Sequence, residues 1–152
     1  MASISLVVVL KVVHVVAVIV AVGANASYAF WLRYAGRDRE RLVYTISGIR
    51  RLDRLVANPS YVLVLVTGVL MVLGGAYSFD TGWIAASIVL YVAVAVLGIT
   101  AFGPAIRHQL AEAERDPSSS AYASAARRST ALGLLTTAVV LVIVVLMVTK
   151  PF

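Results

Sequence analysis

Residues 4–32 read ISLVVVLKVVHVVAVIVAVGANASYAFWL, and Lys11 is the only charge among them. At about 1.5 Å per residue such a helix is longer than the ~30 Å hydrocarbon core of a bilayer requires, so it must tilt or emerge on one side. Working outward, further apolar runs follow. The second spans residues 59–75, with Pro59 suited to a first helical turn and Gly74-Gly75 closing it. The third spans 83–102, where Gly103-Pro104 interrupts or kinks the helix before it continues over 105–115. The fourth spans 130–149, and Pro151 stops it. The expectation is an all-α polytopic membrane protein, a four-transmembrane-helix bundle forming a single membrane domain over residues 1–152. The first run is too long for a cleaved signal peptide, and no basic residue precedes it, so it is expected to remain as a span.

Composition points to the same class. Hydrophobic residues make up 61% of the chain and charged ones 13%, where soluble domains carry about half and about a quarter. There are no cysteines, which excludes disulfides, thiolate metal sites and cysteine nucleophiles. A formal charge of +6 could suggest nucleic acid, but its distribution argues against such a partner. All basic residues except Lys11 and Lys150 fall in two stretches, 33–57 and 106–129. The first holds Arg33, Arg37, Arg39, Arg41, Arg50, Arg51 and Arg54 against Asp38, Glu40 and Asp53. The second holds Arg107, Arg115, Arg127 and Arg128 against Glu112, Glu114 and Asp116. Positive charge on short loops marks the cytoplasmic side and meets lipid headgroups. The expected location is the inner (plasma) membrane, with both loops cytoplasmic and the N- and C-termini outside.

In that orientation Tyr77, Trp83 and Phe152 belong to the outer interface, and Tyr28, Phe30, Trp31 and Tyr34 to the inner one. The first loop reads as an amphipathic helix from Arg39 to Leu55, with Val43, Ile46, Ile49 and Leu52 recurring at steps of three. In the second loop, Asp116 to Ser120 reads as a break between helical pieces. An internal echo is present. Shifting by 80 aligns Leu10, Val12, Val16, Ile19, Ala21 and Gly23 with Leu90, Val92, Val96, Ile99, Ala101 and Gly103. Shifting by 76 aligns Arg51 with Arg127 and residues 70–72 with 146–148. Two parallel two-helix halves, a 2+2 internal repeat, would explain both shifts.

Polar groups within the membrane carry the functional information, because burying them in lipid is costly. Lys11, His14, Val18, Ala21, Asn25 and Tyr28 recur at steps of three and four, which keeps them on one helix face. Gly23 with Ser27, and Ala17 with Ala21, add small-residue spacings for close helix contact. His14 lies about 15 Å from the outer edge of its span, Tyr91 about 12 Å and Met71 about 9 Å, with Thr67 somewhat deeper. These residues and Lys11 could share one layer. A buried imidazole near a thioether is a workable axial pair for haem b; the alternative is that His14 hydrogen-bonds Tyr91 or a threonine and specifies packing. Lys11 either snorkels outward or holds an anionic group such as a haem propionate. His108, about 20 Å or more from His14, reads as an interfacial histidine beside Arg107. Asp80 is isolated, and no pair of intramembrane carboxylates is present to couple transport to ions. Walker, dinucleotide, HExxH and nucleophile-elbow motifs are also missing. Asn25-Ala-Ser matches the glycosylation pattern but falls within a span.

The stretch Leu10-Lys11-Val-Val-His14, followed by Gly23 and Arg33, resembles the first helix of a group of small bacterial membrane proteins. They are a predicted integral-membrane family of unknown function, the copper-resistance D family and the membrane-bound, haem-dependent protoporphyrinogen oxidases. Arg51-Leu-Asp-Arg54, Asn58-Pro59 and Thr67-Gly68 also resemble the start of helix two in the unknown-function family. The resemblance implies a four-helix membrane bundle in which His14 matches a helix-one histidine that ligates haem in the oxidases. The oxidases' remaining functional residues find no match here. A copper site would have only His14 and Met71 as soft ligands, where copper sites usually use more.

The candidate cofactor-binding residues are therefore His14, Met71, Lys11 and Tyr91, with His14 the candidate ligand of haem iron and catalytic residues unassigned. The expected function is a haem-binding or redox-associated membrane protein. The alternatives are a non-catalytic accessory or assembly subunit and a small permease. Expected partners are the bilayer and further copies of the chain or a larger membrane complex.

Overall fold

A computed structural model describes residues 5–151, and they form helices and short connections with no strand among them. Phe152, assigned above to an aromatic belt, lies outside the described residues. Helix α1 runs Leu6–Ala35, started by Ser5, whose side chain accepts the Val8 N–H, and stopped at Gly36, whose φ of 66° suits a residue without a Cβ. Its 30 residues reach about 45 Å, beyond the hydrocarbon core as expected.

Helices α2 (Arg39–Leu52) and α3 (Asn58–Leu73) are joined through a π-helical turn at Asp53–Ala57. Helices α4 (Gly82–Leu97) and α5 (Gly103–Arg115) are joined the same way at Gly98–Phe102. In each turn the last N–H before a proline reaches back five residues, Asn58 to the Asp53 carbonyl and Gly103 to that of Gly98. A proline ring offers no N–H and collides with the carbonyl four residues earlier, and a widened turn moves that carbonyl aside. One expectation is corrected by this device: Pro59 does not begin a helix, because Arg39–Leu73 is one helix of 35 residues. At Gly103-Pro104 the helix continues as expected, Gly82–Arg115 running over 34 residues through its π-helical turn. The break at Asp116 is present, and Ser119 then caps α6 (Ser120–Thr149) by accepting the Tyr122 N–H at 3.1 Å. The last helix thus starts ten residues before Thr130.

The four long helices are long and apolar enough to cross a membrane, and their outward faces are valine-rich. Val8, Val12 and Val16 are all exposed on α1, as lipid contact requires. The packing order is α3–α1–α6–α4: α1 lies along α3, α4 along α6, and α1 touches α6. Among the described residues α3 and α4 have no Cα atoms within 8 Å of each other. The bundle is therefore two hairpins splayed apart on one side, a four-helix membrane bundle with an open seam.

The densest packing lies where the arginines are. There α2 crosses α5, and Ala35, Leu42, Ile46, Ile106, Leu110 and Ala113 form a buried cluster. The buried stripe of α2 is Leu42, Ile46 and Ile49, whereas Leu52 is exposed. Gln109, 2% exposed, accepts a hydrogen bond from Ser129 Oγ at 2.5 Å, joining α5 to α6. We call this the arginine end and the opposite one, with Lys11, Lys150 and the 74–81 connection, the lysine end.

Candidate functional site

Between the splayed hairpins lies a cavity of about 1210 Å³, walled by all four long helices. His14, Met71, Lys11 and Tyr91 line it together. The small residues of α1 explain the tight wall on that side: Ala17 and Ala21 are buried where α1 runs along α3, and Ala21 is fully inaccessible.

His14 Nδ1 lies 2.9 Å from Thr67 Oγ1. The Thr67 hydroxyl is itself 2.6 Å from the Leu63 carbonyl, one turn earlier on α3. The arrangement that satisfies every group has Thr67 donating to Leu63 and His14 Nδ1–H donating to Thr67. In this tautomer Nε2 carries the ring's lone pair, and His14 is one of the residues that line the cavity. Gly68 lies against the ring, where an added Cβ would stand 3.4 Å from Cε1.

The offset in depth between His14 and Met71 is the one expected, and Tyr91 is the residue whose contact departs from the expected layer. His14 is level with Thr67 and Gly68. Met71 is buried one turn further toward the lysine end, about 6 Å along α3. Tyr91 does not bond His14; its hydroxyl donates to the Tyr61 carbonyl at 2.7 Å, about 9 Å along α3 from Thr67 toward the arginine end. A tyrosine hydroxyl stands well away from its own Cα, so depth counted along the backbone does not say which group it meets.

Below Tyr91 the wall stays polar. Asn25 Nδ2 donates to the Tyr61 hydroxyl at 2.5 Å, and the Tyr28 hydroxyl donates to Asp53 Oδ1 at 2.7 Å. Tyr28 was expected in an interfacial belt but is buried, whereas Phe30, Trp31 and Tyr34 are exposed and stack edge and face on one another. Asp53 was counted only as a loop charge; the π-helical turn carries it onto the cavity wall. His108 lies exposed on α5 beside Glu112, apart from the cavity. Among the described residues no three His, Cys, Asp or Glu side chains converge as a metal site.

Residues 8–151 match a family described as a predicted integral membrane protein, DUF2269. The chain belongs to this family. No curated protein and no solved structure matches it. In this DUF2269 chain, sequence reading missed Asp53, Tyr61, Met147 and Lys150 as cavity residues. One signal could have found Met147: the shift of 76 pairs it with Met71. Lys150 had none, since its place depends on how the last helix ends in space.

Proposed function

We propose that this membrane protein binds haem b in the cavity between its hairpins, with His14 Nε2 as an axial ligand, and serves a redox role in the bacterial inner membrane. The observation that carries the reading is the fastened imidazole: Thr67 holds Nδ1 of a histidine that lines the cavity, so the lone pair falls to Nε2. Histidines that bind metals are typically oriented this way, because the second-shell hydrogen bond fixes the tautomer and aims the lone pair. The chamber is also large enough, since about 1210 Å³ exceeds the ~300–1,000 Å³ of ordinary small-molecule sites. Bound haem would supply one-electron chemistry, with its potential tuned by the residues that hold the iron. Met71 on α3 and Met147 on α6 are the thioethers in the wall. The basic loops argue for a cytoplasmic arginine end.

The test is an absorption spectrum of detergent-purified protein, as isolated and after hemin is added. A Soret band is expected, with sharper visible bands on reduction. His14→Ala should abolish it while the protein still inserts, and Thr67→Val should weaken haem binding about 10–100-fold. Colourless protein that takes up no hemin would remove the reading. The contact from His14 to Thr67 would then stand as a packing hydrogen bond, and the chain as an accessory subunit. Reporter fusions at Asp80 should score outside and at Ser119 cytoplasmic; the reverse would overturn the orientation.

A further inference from the structure

Two basic residues stand apart from all the others in this chain. Eleven arginines crowd the two stretches at one end, whereas Lys11 and Lys150 sit near opposite ends of the sequence. The fold brings both to the wall of the same cavity. Lys11 lies three residues before His14 on α1, about 4.5 Å toward the lysine end. Lys150 follows the last turn of α6 in a left-handed conformation, φ 47° and ψ 58°, with its N–H donating to the Leu146 carbonyl. Its ammonium stands 5.5 Å from the Tyr77 ring centroid and 5.7 Å from that of Trp83. Tyr77 and Trp83 meet edge to face at 5.7 Å and line the cavity too. Lys150 is thus held at the mouth by aromatic faces. Among the described residues no carboxylate pairs with either lysine, and Asp80, on the nearby connection, does not line the cavity.

Lysines near helix ends reach interfacial water through their flexible stems, and both of these are exposed, so each ammonium is available for a charge-assisted contact with an anionic ligand group. The interior beyond the mouth is walled by Val15, Val18, Ile88 and Val144, which suits an apolar body. We infer that the lysine-end mouth recognises the carboxylate of an apolar ligand, Lys11 and Lys150 binding the acid while its hydrophobic part fills the chamber. The inference rests on the cavity being a ligand chamber, as proposed above; were haem the ligand, its propionates would be the carboxylates that Lys11 and Lys150 hold.

The experiment uses Trp83 as a reporter. The full chain carrying Trp31→Phe, which leaves Trp83 as the sole tryptophan, is placed in nanodiscs of zwitterionic lipid. Quenching is titrated with a brominated fatty acid, its methyl ester and brominated phosphatidylglycerol, and hemin uptake is read separately from the Soret band against hemin dimethyl ester. The acid should quench Trp83 more tightly than its ester, and Lys11→Gln with Lys150→Gln should weaken the acid by about tenfold, a typical loss for charge-assisted contacts, leaving the ester unchanged. Hemin should show the same lysine dependence and its dimethyl ester none. Equal binding of acid and ester, binding of neither, or indifference to the lysine substitutions would overturn the inference even if a Soret band forms. Lysine-dependent quenching by phosphatidylglycerol alone would overturn it in favour of a lipid headgroup site. Lysine-dependent binding of the fatty acid with no Soret band would uphold it and remove haem instead.

Discussion

The two hairpins meet the chamber with equivalent residues but different chemistry. Under the shift of 80, Lys11, His14, Val18 and Val22 of α1 correspond to Tyr91, Val94, Gly98 and Phe102, and every one of these lines the cavity. Under the shift of 76, Tyr61, Gly68 and Met71 correspond to Thr137, Val144 and Met147, which line it as well. Other pairs do not correspond: Asn25 and Tyr28 line the cavity, whereas Ala105 and His108, their partners under the shift of 80, do not. At three corresponding places the first hairpin carries the imidazole, its partner and a carboxylate: His14 where the second has Val94, Thr67 where it has Ile143, Asp53 where it has Ser129. The second hairpin brings its own polar groups to the wall at other places, Tyr91 and Lys150 among them.

The strongest test of that contrast moves the imidazole. His14→Val should abolish hemin absorption. Adding Val94→His to that variant should restore a Soret band with affinity about 10–100-fold weaker, because Ile143 cannot hold Nδ1 as Thr67 does. No recovery would break the equivalence of the two faces. Next in size is Ala21→Trp, which forces an indole into the fully buried seam of α1 and α3 and should cost about 1–3 kcal/mol or more in detergent melts. Val20→Trp, on the lipid side with 38% exposure, should be tolerated, and equal losses would show that Ala21 does not face the interior.

Ser129→Ala should cost about 1–3 kcal/mol, because Gln109 loses its close partner and keeps a 3.5 Å contact to Tyr122. Thermal melts that match the unchanged chain would show that this bond between α5 and α6 carries no stability. The smallest effect is expected on the chamber wall. Ile88→Val trims a half-buried side chain that already faces open space, so the loss should be about 0.5 kcal/mol, the low end for this substitution. A loss several times larger would mean that the second hairpin is packed more tightly than its open face implies.

Much of the fold was legible because a bilayer imposes rules on every apolar run. Length, hydropathy and the arginine distribution led to four spans and two basic connections without any reference to packing. The polar stripe Lys11, His14, Asn25 and Tyr28 was legible for the same reason, since a helix cannot leave such groups in lipid. One proline misled. Pro59 read locally as a start, yet a π-helical turn before it lets the helix continue. Nothing in a residue's own preference reports a widened turn upstream of it.

Sequence alone determined the class of the molecule, the number of its spans and the face of α1 that points inward, because these follow from composition and from periodicity within one helix. Only the tertiary structure decided which groups meet: His14 with Thr67 rather than Tyr91, Tyr28 with Asp53, and Lys11 at the same mouth as Lys150. Those meetings depend on tilt, on rotation of one helix against another and on how each helix ends. These are relations between helices, and the repeat within one helix does not encode them.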